Sequence, residues 1–172
     1  KITWDRPKAR GNPFFYFAYG ASCSEVTIDT MTGEMRVDRV DILHDVGRSL
    51  NPAIDIGQIE GAFVQGMGWL TTEELVFDAE GRLRTHAPST YKIPCASDVP
   101  PDFRVKLHES GGNRADTIYR SKAVGEPPLM LAISVWCAIN DAIGSLKPGV
   151  VPKLVVPATP ENILAAVKGM GA

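Results

Sequence analysis

Glu126 is the residue placed most pointedly for chemistry. It stands between Gly125 and Pro127-Pro128, directly ahead of the apolar run Leu129–Ile139. A helix start favours a carboxylate by about 0.3–1 kcal/mol. Burial would act the other way and raise its pKa. The two prolines remove N–H groups that would otherwise satisfy it. A carboxylate under those influences suits a general base, the plainer alternative being an ordinary acid at a helix start. Gln58 follows Asp55 by three residues, the spacing of a capping box. Its other reading is a neutral amide offered to a ligand beside Gly57 and Gly61. Lys122, four residues before Glu126, would meet an anionic cofactor group, or else be a surface lysine. His44, His86 and His108 are scattered. Cys23, Cys95 and Cys137 are odd in number and widely spaced. Neither set has metal-ligand spacing, so no protein metal ligand is assigned and reduced thiols are expected. The sequence contains no GxGxxG, Walker or GxSxG motif.

These side chains need elements to hold them. Phe14–Ile28 is aromatic and β-branched and reads as strand. Thr30–Gly33 reads as a turn. Met35–Val46 resumes the apolar pattern with one slip of phase between Val37 and Val40, the mark of a β-bulge. Asn51-Pro52 opens a helix, with Asp55 as a second possible start. Its apolar stripe is Ile56, Ile59, Phe63, Met67 and Leu70. Gly57, Gly61, Gly66 and Gly68 each cost that helix about 1 kcal/mol against Ala, so close packing or a ligand must reward them. Glu73–Phe77 is a short strand candidate. Phe103, Val105 and Leu107 alternate with charged residues as in a half-buried strand. Ser110–Asp116 is a loop read as surface variation. A helix should start after Glu126, apolar on every face through Ile139 and so buried. Lys147–Pro157 is extended, and Thr159-Pro160-Glu161 caps a last short helix. The fold class expected is α+β: mixed and antiparallel strands with helices packed on them.

The chain has 172 residues, about one domain. Eighteen basic residues against 20 acidic ones give a net charge of −2, which makes no electrostatic case for nucleic acid or an anionic membrane. The eleven-residue apolar run is short of the roughly 20 residues of a membrane span. No secretory leader is visible, and a cytoplasmic location is expected. The start at Lys1 suggests a piece of something longer.

Four stretches together resemble one family. They are DVGRSLNPAIDIGQIEGAFVQGMGW (Asp45–Trp69), PSTYKIP (Pro88–Pro94), SKAVGEPPLMLAISVWCAINDAI (Ser121–Ile143) and PATPENIL (Pro157–Leu164). In content and order they are similar to the xanthine dehydrogenase and xanthine oxidase family of molybdenum hydroxylases. The similarity makes residues 1–172 the C-terminal segment of the molybdenum-cofactor domain. It implies hydroxylation of hypoxanthine and xanthine to urate, at a carbon beside a ring nitrogen and with water as the oxygen source. Molybdenum is then held by the pterin dithiolene of molybdopterin and not by side chains. Glu126, in GEPP, is implied as the general base on the metal's hydroxyl. Gln58, in DIGQ, is implied as a cofactor ligand, and Lys122, Val124 and Gly125 as residues lining the cofactor. The 2Fe–2S clusters and FAD belong to other parts of the assembly. The partners implied are the remaining molybdenum-domain segment and the iron–sulfur and flavin subunit or domains. PSTYKIP inclines toward the xanthine branch over aldehyde oxidase. The rival class is a non-catalytic assembly module.

Overall fold

The computed structural model of the chain describes residues 2–109 and 111–171. Its centre is a three-stranded mixed sheet in the order β3-β4-β5, preceded by a separate short hairpin of β1 (Thr3–Asp5) and β2 (Arg10–Asn12). β3 (Gly20–Ile28) and β4 (Met35–His44) pair antiparallel from Gly20↔His44 to Ile28↔Met35. Period-2 alternation explains their burial: Val37, Val40, Ile42 and His44 of β4 point to the core. The register shifts between Glu25 and Val26, leaving Asp38 as the extra residue of a bulge. That is the slip of phase read between Val37 and Val40. The Asp38 carboxylate accepts hydrogen bonds from Thr27 Oγ1 and Arg36 Nε, both at 2.5 Å.

β5 (Asp102–Leu107) lies parallel to β4, from Arg39↔Asp102 to His44↔Leu107. A parallel neighbour requires a crossover. The crossover contains α1 (Pro52–Thr71), whose Ile59, Phe63 and Met67 are buried. Asn51 caps α1, its Oδ1 accepting from the Ile54 amide at 3.4 Å. Asp55 instead lies inside the first turn and accepts from Ser49 Oγ at 2.5 Å.

Two expectations shift. The strand read over Phe14–Ile28 begins only at Gly20; residues 14–19 lie outside the sheets, with a bend at Phe15. Of Glu73–Phe77, only Phe77 pairs, in an isolated bridge to Leu83. The helix after Glu126 opens as a 3₁₀ segment, Pro127–Ala132, and becomes α2 at Ile133–Gly144. With two prolines lacking N–H groups, the first backbone bond inside it is Leu129 N to Glu126 O, at 3.1 Å.

These two pieces form an 18-residue stretch, longer than the apolar run alone. It is the one helix among the described residues long and apolar enough to cross a membrane. One of its faces packs into the core through Ala132, Val135, Ile139 and Ile143. Met130 (61%) and Ile133 (43%) remain exposed, so this chain does not bury the helix on every side. α3 (Pro160–Gly169) closes the core with Ile163 and Val167. Thr159 Oγ1 accepts from the Asn162 amide at its start.

Candidate functional site

α1 and the 3₁₀ segment touch because of Gly66. A Cβ there would stand 2.9 Å from Ala132 Cβ and closer still to the Leu129 carbonyl. Gly68 is likewise crowded, by Glu73 and Pro94. Close packing therefore accounts for these two glycines. Ser22 Oγ, on β3, donates to the Leu131 carbonyl at 2.6 Å and ties the same segment to the sheet.

This contact brings two predicted residues together. A Cβ on Gly125 would lie 3.4 Å from Gln58 Oε1, so the Gln58 carboxamide lies against the residue before Glu126. Gln58 sits seven residues beyond the Asn51 cap and takes no part in it, so the capping-box reading does not hold. Glu126 is exposed and occupies the cap position of the 3₁₀ segment, but its side chain makes no capping hydrogen bond. Its carboxylate is not spent on the helix end, and the burial expected for it is not found within this chain. Gly57 and Gly61 face open space, with nothing within 4 Å of the Cβ each lacks. Internal packing does not explain them.

Lys122 is neither a surface lysine nor directed outward. Its Nζ donates to Asp45 Oδ2 at 2.6 Å and to the Phe17 carbonyl at 2.8 Å, and lies 5.1 Å from the centre of the Tyr19 ring. The Lys122 and Asp45 side chains are only 8% and 9% exposed. Tyr16 Oη accepts from the Ala123 amide at 2.9 Å. Residues 14–19 thus form a strap across the segment that leads to Glu126. Val124 is half-buried against the core.

The backbone of this segment is anchored on its other side. The Arg48 amide donates to the Arg120 carbonyl at 2.9 Å, and the Lys122 amide to the Val46 carbonyl at 2.8 Å. Gly47 lies between them with φ +65°. A Cβ there would come within 2.5 Å of the Arg120 oxygen, so the close approach requires glycine. Tyr119 (φ 49°) and Arg120 (φ 62°) are consecutive left-handed residues just upstream, a sparsely populated backbone that surrounding structure must hold.

Asn113 is part of that support, and the sequence reading missed it. It is 3% exposed. Its amide donates to the Arg120 carbonyl at 2.7 Å, and its Nδ2 reaches Thr117 Oγ1 at 3.3 Å and the Ser121 carbonyl at 3.4 Å. The loop read as surface variation over Ser110–Asp116 therefore buttresses the site segment through Asn113; Ser110 itself lies outside the described residues. An Asn two residues after Gly111 was the only available signal, and it is a common loop signature.

His44 is a core residue, 1% exposed, and neither ring nitrogen has a hydrogen-bond partner among the described residues. Burial pushes its pKa down, Asp45 opposes the shift and Lys122 assists it. Cys23, Cys95 and Cys137 are exposed free thiols. Among the described residues no group of three or more His, Cys, Asp or Glu is placed to hold a metal ion.

Comparison with known proteins gives this geometry its setting. Residues 1–100 match the family described as "Molybdopterin cofactor-binding domain". The chain is 55% identical over 160 residues to xanthine dehydrogenase/oxidase of Felis catus, covering 89% of this chain. It is 47% identical over 169 residues to aldehyde oxidase of Homo sapiens, covering 96% of this chain. It spans about 12% of the length of each of these relatives. The solved aldehyde oxidoreductase of Desulfovibrio gigas superposes with a TM-score of 0.77 at 29% identity, over 97% of this chain and 17% of that one. The α+β fold expected from sequence is the one these proteins share. The chain belongs to the molybdopterin cofactor-binding domain family, as part of the cofactor-binding region of a molybdenum-hydroxylase oxidoreductase.

Proposed function

We propose that this chain is the proton-accepting segment of a xanthine dehydrogenase that hydroxylates hypoxanthine and xanthine to urate. The observation that carries the reading is that the Gln58 carboxamide lies against Gly125, directly before an exposed Glu126 whose side chain makes no capping bond.

The residues present fit molybdopterin. Gly57 and Gly61 leave an open strip on α1 beside Gln58. There a pterin ring or phosphate can approach backbone without meeting a Cβ. Gln58 offers both amide donors and a carbonyl acceptor, which matches the edge of a pterin. Gly125 and Val124 present backbone on the facing segment. Lys122, its ammonium held by Asp45, lines the cofactor by holding that segment in place.

When bound, molybdopterin would supply the two-electron redox chemistry of the hydroxylation. Glu126 would accept a proton at its carboxylate as general base. The two prolines fix the backbone that carries the carboxylate, and Gln58 orients the cofactor edge beside it. Proton acceptance by a positioned carboxylate contributes about 10²–10⁴ in rate. The remaining molybdenum-domain segment completes the site. 2Fe–2S clusters and FAD on other parts of a cytoplasmic assembly would supply the onward electron acceptors.

The test is Glu126→Gln in the full-length protein. Turnover of xanthine should fall about 10²–10⁴-fold with molybdenum content unchanged. Turnover within a few-fold of the parent refutes the role of Glu126. An aldehyde-oxidase-type reading is favoured by the 47% identity to that relative. Oxidation of an aromatic aldehyde in preference to xanthine would establish it.

A further inference from the structure

We infer that the buried Asp45–Lys122 ion pair is a positioning lock, which holds the segment Val124–Glu126 in place against Gln58. This rests on the reading of Glu126 as general base.

Both partners are more than nine-tenths buried, and they join residues 77 apart in sequence. Stability alone does not account for such a pair. Buried ion pairs are often replaceable by apolar residues of similar size without loss. What apolar residues lack is direction. Here the Asp45 carboxylate, the Phe17 carbonyl and the face of Tyr19 converge on one ammonium. Tyr16 fixes the next residue by accepting the Ala123 amide. Asp45 is itself oriented, since its Oδ1 accepts from the Gly47 amide at 2.8 Å. Gly47 is the residue that lets Arg120 come close.

The lock therefore joins three parts: the end of the central strand, the aromatic strap and the segment leading to Glu126. From Ala123 to Glu126 the segment makes no further side-chain hydrogen bond among the described residues. The position of Glu126 is set by this anchor upstream and by buried Pro128 downstream. Lys122 acts through Glu126 and is not itself a catalytic residue. A shift of about 1 Å at a reacting group costs on the order of 100-fold in rate.

The experiment uses the full-length protein with three variants: Lys122→Met, the double variant Asp45→Asn/Lys122→Met, and Glu126→Gln. Melting temperature, molybdenum content, kcat, KM and amide exchange of peptides covering residues 121–126 are measured on each. The single variant leaves a buried carboxylate without its lysine and should melt lower. The double variant removes both charges and should regain the melting temperature. If the pair is a lock, the double variant still exchanges faster over residues 121–126. Its kcat then falls about 10- to 100-fold while KM stays within about 3-fold. Recovery of kcat and of parent-like exchange together with the melting temperature overturns the inference, because the pair is then only structural. Retained turnover in Glu126→Gln refutes the base assignment instead, and the exchange of residues 121–126, which needs no bound cofactor, still decides the lock.

Discussion

Replacing Gly66 by Ala tests how the site is assembled without touching a residue proposed to act in it. The added Cβ would lie 2.9 Å from Ala132 Cβ, against an ordinary contact of 3.4–4 Å. The 3₁₀ segment must therefore retreat by at least about 0.5 Å, and further at the Leu129 carbonyl, which is closer still. The carbonyl is rigid backbone and has no rotamer to yield. Overpacking of this kind costs about 1–3 kcal/mol, and the better helix propensity of Ala returns up to about 1 kcal/mol. Net destabilisation of up to about 2 kcal/mol follows. Leu129 is bonded to the Glu126 carbonyl at 3.1 Å, so the displacement carries Glu126 away from Gln58. A loss of about 10- to 100-fold in kcat is expected. The assay is thermal melting with steady-state kinetics on the full-length protein, normalised to molybdenum. A Gly66→Ala protein with parent-like melting and kcat would refute the claim that this contact sets the Gln58–Glu126 geometry.

Gly61→Ala is the matched contrast: it meets nothing within 4 Å among the described residues. If the α1 strip faces cofactor, molybdenum content of the full-length protein falls; full metal loading with a raised melting temperature would refute that. His44 gives a pH dependence. Its pKa is depressed in the fold, chiefly by burial, against an ordinary value of 6.5. The unfolded chain thus binds the extra proton, and stability is complete above about pH 6.5 and lost as pH falls below it. The slope reaches at most about 1.4 kcal/mol per pH unit. In denaturant titrations from pH 7.5 to 5, His44→Leu should remove that component, and an unchanged slope would count against it.

Much of the central fold was legible because its signals are local. The Asp38 bulge follows from a slip of one residue in β4, and α1 from its Asn51-Pro52 cap and the spacing of Ile59, Phe63 and Met67. β1 and β2 were not legible, because every residue in them is exposed and no alternation marks them. The parallel pairing of β5 joins residues some 63 positions apart, and nothing near either strand announces it. The site divides in the same way. Glu126 and Gln58 stood out through their neighbours, Gly125 and the two prolines in one case and the flanking glycines in the other. The burial of Lys122 was not legible because its partner Asp45 is remote, nor that of Asn113, because a buried asparagine looks like any loop asparagine until its contacts are known.

The mixed sheet has a consequence for the order in which the molecule comes together. β4 gains its parallel neighbour only after the chain has travelled through α1 and back, and the Lys122–Asp45 contact closes a loop of 77 residues. Relative to a ten-residue turn, closing that loop costs about 2 kcal/mol more in chain entropy. Such contacts form late, after local hairpins and helices. The β3–β4 hairpin and α1 can collapse early, whereas the arrangement around Glu126 waits for nearly the whole chain. A partly folded molecule accordingly displays Gln58 on a formed helix while the carboxylate opposite is still unplaced. The contact of Gln58 with Gly125 arises only in chains that have completed their topology.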